Sequence, residues 1–145
     1  EWEKAARGTD GRIYPWGDAF EATRANTTES GARTTTAVGS YPDGASPCGV
    51  REMAGGVMEW CSSVYAPYPY NSMASEDNGK DTTRERVARG GAWGYQHWDA
   101  RTAARQKFHP SDWNDGIGFR LVCAPDAPHH RSWVDALLTR ATHPA

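Results

Sequence analysis

The chain has 145 residues, 38% of them hydrophobic, with a mean hydropathy of -0.77, which suits one domain around one modest core. Sixteen Lys and Arg against 18 Asp and Glu leave a formal charge of -2, and the basic residues are dispersed; neither nucleic acid nor a membrane surface is an expected partner. No apolar run approaches the length of a membrane span, and three cysteines without a CxxC spacing, Cys48, Cys61 and Cys123, argue against a zinc site or a disulfide-dense scaffold. The compartment stays open.

In chain order, residues 1–7 read as the end of a helix, rich in Glu, Lys and Ala and stopped by Gly8. Fifteen Gly, nine Pro and seven Trp then predict short strands and long ordered loops pinned by large aromatics. Residues 37–41 alternate briefly as a strand before the turn Pro42-Asp43-Gly44. Residues 57–64 read as a strand carrying Met58, Trp60 and Ser62 on one side. The polar stretch 67–83 is a surface loop. Residues 86–93 and 118–123 read as two further core strands, with Trp93 and Phe119 in the core. Ser132 can cap a short helix over 132–139, whose apolar stripe is Trp133, Val134, Leu137 and Leu138.

Arg89, Arg101, Arg105 and Arg120 lie in or beside apolar segments, so their burial calls for acidic partners, of which Glu59 between Met58 and Trp60 is the first candidate. This Arg and Glu set reads as structural. Gly90-Gly91 allows a bend or a close approach of two backbones.

Several segments stand in a distinctive order: Glu1-Trp2-Glu3-Lys4-Ala5-Ala6-Arg7-Gly8, Tyr14-Pro15-Trp16-Gly17-Asp18, Ala25-Asn26, Val38-Gly39-Ser40-Tyr41-Pro42, Glu52-Met53-Ala54-Gly55-Gly56-Val57-Met58-Glu59-Trp60-Cys61, Arg89-Gly90-Gly91-Ala92-Trp93 and Gly118-Phe119-Arg120. Together they resemble the formylglycine-generating-enzyme, or sulfatase-modifying-factor, superfamily. The resemblance implies an α+β, C-type-lectin-like fold. It assigns residues 1–123 to the C-terminal portion of such a domain and leaves 124–145 as a tail with the short helix. It also implies an N-terminal portion outside this chain, or a second chain that supplies it.

In family members that oxidise a substrate cysteine, two copper(I)-binding cysteines lie between the segments resembling Arg89-Gly90-Gly91 and residues 101–105. Here no cysteine occurs between Cys61 and Cys123, so neither copper nor that oxidation is expected. Ergothioneine-type sulfoxide synthases resemble residues 62–70, but their iron is held by histidines of another domain, and no iron is expected here either. The resemblance implies structural calcium, with one site around Asn26 and a second using oxygens of Glu52, Gly55, Val57 and Glu59, a hard donor set.

The residues themselves offer a recognition surface: Tyr95, Gln96, His97, Trp98, Asp99, Phe108, His109, Trp113, Asn114 and Asp115. Tyr and Trp supply rigid contact area, and Asn, Asp and Gln adapt their hydrogen bonds. The opposing reading places Trp98, Phe108 and Trp113 in the core. The expectation is a non-catalytic module that binds a protein or small-molecule ligand. The alternative is an oxidoreductase or enzyme fragment, either a divergent formylglycine-generating oxidase or the substrate-facing part of a sulfoxide synthase.

Overall fold

The computed structural model describes residues 1–69 and 81–122. Helix α1 (Trp2–Arg7) opens the chain, with Glu3 and Arg7 paired at 2.7 Å one turn apart. Gly8 ends it at φ 68°, sending its N–H back to the Lys4 carbonyl. A helix this short is not stable alone. Its anchors are long-range: Trp2 Nε1 donates to Glu59 Oε2 at 2.7 Å, and Glu3 Oε2 meets Arg89 Nη2 at 3.0 Å.

The sheet contains β1 (Met58–Val64), β2 (Arg86–Arg89), β3 (Gln106–Phe108) and β4 (Ile117–Gly118), in the spatial order β3-β2-β1-β4. β1 and β2 are antiparallel, with Trp60 opposite Ala88 and an irregularity before Val64 meets Arg86. β3 pairs antiparallel with β2, Arg86 opposite Phe108. β4 runs parallel to β1 only at Met58↔Ile117 and Glu59↔Gly118. Beyond those two pairs the strands diverge, and a cavity of about 830 Å³ opens in the wedge, lined by Trp2, Trp60, Cys61, Arg105, Leu121 and Val122 among others.

The core is small and rich in alanine. Met58, Ala88 and Ala92 form its centre, with Tyr95, Phe108 and Ile117 packed around them. Ala25, Ala54 and Ala100 form a second cluster against Trp16. Such short side chains let backbones come close. A Cβ on Gly55 would sit 2.3 Å from the Asn26 carbonyl oxygen, and one on Gly91 would sit 2.9 Å from the Ala100 nitrogen.

The opening helix and the strand over β1 match the sequence reading, while other elements depart from it. Residues 37–41 form no strand: Val38 is 90% exposed and Gly39 takes φ 87°, a turn conformation. β2 stops at Arg89 because Gly90 and Gly91 enter the positive-φ region at 99° and 68°. β4 is two residues long, and Phe119, expected in the core, is 72% exposed because the chain leaves the sheet after Gly118. Trp93 is half-buried and holds the Asp115 carbonyl through its indole N–H at 3.2 Å. β3 lies in a stretch read only as recognition surface. Cys123, the 132–139 helix and most of the 67–83 loop fall outside the described residues.

The arginines divide their partners. Arg120 pairs with Glu59, while Arg89 takes Glu3 and carbonyl oxygens of Thr102 and Ala104. Arg101 donates to the Trp98 carbonyl. Arg105 donates to the Ala66 carbonyl and lies over the rings of Tyr65 and Tyr68 at 4.9 and 4.8 Å. Glu59 therefore serves one arginine.

Candidate recognition surface

From Ala92 onward the chain is fixed by crossing hydrogen bonds. Trp93 donates its backbone N–H to the Gly56 carbonyl at 2.9 Å, and the Tyr95 carbonyl accepts from Thr28 at 2.9 Å. One helical turn follows over His97–Ala100, with Ala100 fully buried. Thr102 closes the stretch through its N–H to the Ile13 carbonyl and its hydroxyl to the Arg12 carbonyl.

His97 sits at the centre of an aromatic group. The Tyr14 hydroxyl lies 2.7 Å from its Nδ1, Phe20 stacks on it with centroids 4.8 Å apart, and Trp98 meets it edge-on at 5.1 Å. Its backbone N–H donates to Glu29 Oε1 at 3.0 Å. Burial pushes the Tyr14 phenol above its ordinary range. Burial also opposes ionisation of Glu29, but hydrogen bonds from the His97 amide and the Thr27 hydroxyl outweigh it and hold the carboxyl below its usual range.

A second turn carries the other half of the surface. His109 N–H donates to Asp112 Oδ2 at 2.9 Å, the Asp112 N–H returns to the His109 carbonyl, and the His109 ring meets the Ser111 hydroxyl at 2.6 Å. Asn114 Oδ1 accepts from the Gly116 N–H at 2.8 Å, an Asx-type turn that steers the chain into β4. Trp113 projects from this frame 90% exposed, with Asn114 and Asp115 also on the surface.

The ten residues read as one surface therefore divide. Gln96, Trp98 (46% exposed), His109, Trp113, Asn114 and Asp115 face solvent. Tyr95 and Phe108 pack on the core cluster, and Phe108 adds an edge contact to Trp60. His97 is tied into the aromatic group, and Asp99 Oδ1 accepts from Gln106 Nε2 at 2.8 Å. The two halves meet at Tyr95, whose ring abuts the backbone of Gly116, and at the Trp93–Asp115 bond. Sequence reading missed Tyr14, Phe20 and Glu29 as supports of His97. They lie 68 to 83 positions away, and no local pattern links them.

The donor set for calcium fits poorly. Glu59 is 5% exposed, and its two oxygens accept from Arg120 and Trp2. The Glu52 carboxylate accepts from Gly39 N–H, and its carbonyl accepts from Arg120. The Asn26 carbonyl and Oδ1 accept from Gly56 N–H and the Ser30 hydroxyl. Gly55 N–H goes to the Gly90 carbonyl, and Val57 packs against Gly118. Among the described residues, no buried side-chain N or O lacks a hydrogen-bond partner.

Comparison with known proteins gives this arrangement its relatives. A family model described as the sulfatase-modifying factor enzyme 1-like domain matches residues 1–125. The chain is 40% identical over 130 residues to the serine/threonine-protein kinase Pkn1 of Chlamydia trachomatis serovar L2, covering 87% of this chain and 20% of that protein. It is 37% identical over 148 residues to the formylglycine-generating enzyme of Streptomyces coelicolor, covering 88% of this chain and 45% of the enzyme. The solved structure of PvdO from Pseudomonas aeruginosa superposes with a TM-score of 0.64 at 29% identity, over 81% of this chain and 48% of PvdO. The chain thus spans less than half the length of these relatives, and the architecture is an α+β fold of the formylglycine-generating-enzyme type.

Proposed function

Because the chain belongs to the sulfatase-modifying factor enzyme 1-like domain family, we propose that it is a non-catalytic binding module of that family. Its ligand, a protein or a small molecule, meets the surface formed by Gln96, Trp98, His109, Trp113, Asn114 and Asp115. The observation that carries this reading is Trp113: a large ring, 90% exposed, on a turn whose backbone is fixed on both sides by hydrogen bonds. An ordered exposed aromatic beside adaptable polar groups is the usual make-up of a binding hot spot. The absence of cysteine from residues 62–122 supports the same reading, because copper(I) chemistry of the family type needs a thiolate pair.

Two measurements test it. Glycan and peptide arrays probed with the wild-type chain and with Trp113→Ala should give signals that the variant loses. Incubation with copper(I), oxygen and a cysteine-containing peptide should yield no aldehyde. Aldehyde formation would move the alternative, an oxidoreductase, to first place.

A second partner has its own observation. The wedge between β1 and the chain after β4 is lined by apolar groups, and Leu121 and Val122 stand 88% and 73% exposed beside it. We infer that a second polypeptide fills it with an extended segment, since β1 has no strand partner on that side beyond Glu59 among the described residues. Cys61 lines the wedge, so co-expression with the true partner should shield its thiol from alkylation. A Cys61 equally reactive in the complex would overturn this assignment.

A further inference from the structure

We propose that the guanidinium of Arg120 is a built-in cation that organises residues 51–59 in place of a metal ion, so that the domain has no requirement for calcium. This segment turns sharply, with Glu52 at φ 58° and Gly55 and Gly56 at 75° and 73°. The turns bring backbone carbonyls toward one side chain. Arg120 Nη2 donates to the Arg51 carbonyl at 3.1 Å, to the Glu52 carbonyl at 3.0 Å and to Glu59 Oε1 at 2.5 Å. Its Nε donates to Glu59 Oε2 at 2.6 Å. One fork thus gathers two carbonyls and both oxygens of a buried carboxylate.

Those are the groups a hard divalent ion would seek. A planar guanidinium answers the same demand with directed donors and a charge that does not titrate away. The two cations are alternatives, because calcium on the Glu52 carbonyl and Glu59 Oε1 would stand against the Arg120 charge on the same oxygens. Trp2 Nε1 adds a neutral donor to Glu59 Oε2. A carboxylate 5% exposed is costly to bury unless its charge is compensated, and here one arginine compensates it. At Asn26 the neutral donors Ser30 and Gly56 do the corresponding work. This departs from the calcium that the family resemblance implies for the same positions.

Thermal unfolding of the wild-type chain in excess EDTA and in millimolar calcium chloride tests the proposal, because an ion that binds only the folded state must raise its stability. The expected result is one melting temperature in both buffers and no calcium retained after gel filtration. Stoichiometric calcium with a melting temperature that falls in EDTA overturns it. Arg120→Gln supplies the second arm: the variant should melt earlier than wild type and recover part of the loss in calcium but not in magnesium. A folded Arg120→Gln chain indifferent to calcium also overturns the proposal, since the vacated oxygens would then have no use for a cation. Should that variant fail to fold, the wild-type comparison decides alone.

Discussion

The hydroxyl of Tyr14 lies 2.7 Å from Nδ1 of His97, 83 positions further along the chain. Tyr14 is 3% exposed and stacks on Trp16, while His97 carries Phe20 on one side and Trp98 on the other. The bond fixes the helical turn at His97–Ala100 to the loop after α1. Tyr14→Phe keeps the ring and removes the bond, and should cost about 1 kcal/mol of stability in urea unfolding. Burial raises the Tyr14 phenol, so on titration with base it should ionise after exposed tyrosines. The folded state then holds that proton longer than the unfolded state, and the associated stability falls as pH rises past the ordinary tyrosine range.

Alanine scanning should separate recognition from packing. Trp113→Ala removes a ring that stands almost entirely in water, so stability should change by no more than about 0.5 kcal/mol while ligand binding is lost. Tyr95→Ala should behave differently, lowering stability by about 2 kcal/mol or more, because Tyr95 packs on Met58, Ala88 and Ala92. A Trp113→Ala chain that binds like wild type would remove the surface from consideration.

The two described cysteines should differ in reactivity. Cys48 is exposed, whereas Cys61 is partly buried in the wedge. Burial pushes the Cys61 thiol up, with the Arg89 charge opposing. Iodoacetamide at mildly alkaline pH should therefore label Cys48 first, and denaturant should erase the difference. Because the folded state retains the Cys61 proton longer, stability from this group falls as pH rises through the unfolded thiol range.

Two glycine substitutions make a contrast. Gly55 has φ 75°, and a Cβ there would lie 2.3 Å from the Asn26 carbonyl oxygen, a backbone atom that cannot swing away. Gly55→Ala should cost about 3 kcal/mol or more. Gly94 has nothing within 4 Å of its would-be Cβ, so Gly94→Ala should be neutral within about 0.5 kcal/mol. Circular dichroism melts of the two variants provide the check.

The legible parts of this fold were those where chemistry is written locally. α1 announced itself by Glu, Lys and Ala before a glycine, and β1 by Met58, Trp60 and Val64 at alternate positions. The ordered motifs carried the family. What stayed hidden depends on distant partners. Residues 118–122 alternate like a core strand, yet only Gly118 finds a ladder, because the divergence from β1 is set by tertiary packing. Val38 alternates as a strand residue but belongs to a turn governed by Gly39. For the surface, residue types chosen for contact identified Trp113 and Trp98, but they gave no means of telling them from Tyr95 and Phe108, whose rings turn inward.

The parallel contact of β4 with β1 also sets a timetable. Residues 58–59 must wait for 117–118, a separation of about sixty positions, whereas β2 and β3 are joined across a far shorter loop. Folding should begin with the β2–β3 pair, add β1, and close with β4, at a rate limited by that longest loop. On a ribosome, Met58 and Ala88 have emerged well before Ile117 arrives to cover them, so nascent chains spend their longest wait with this apolar face open to aggregation.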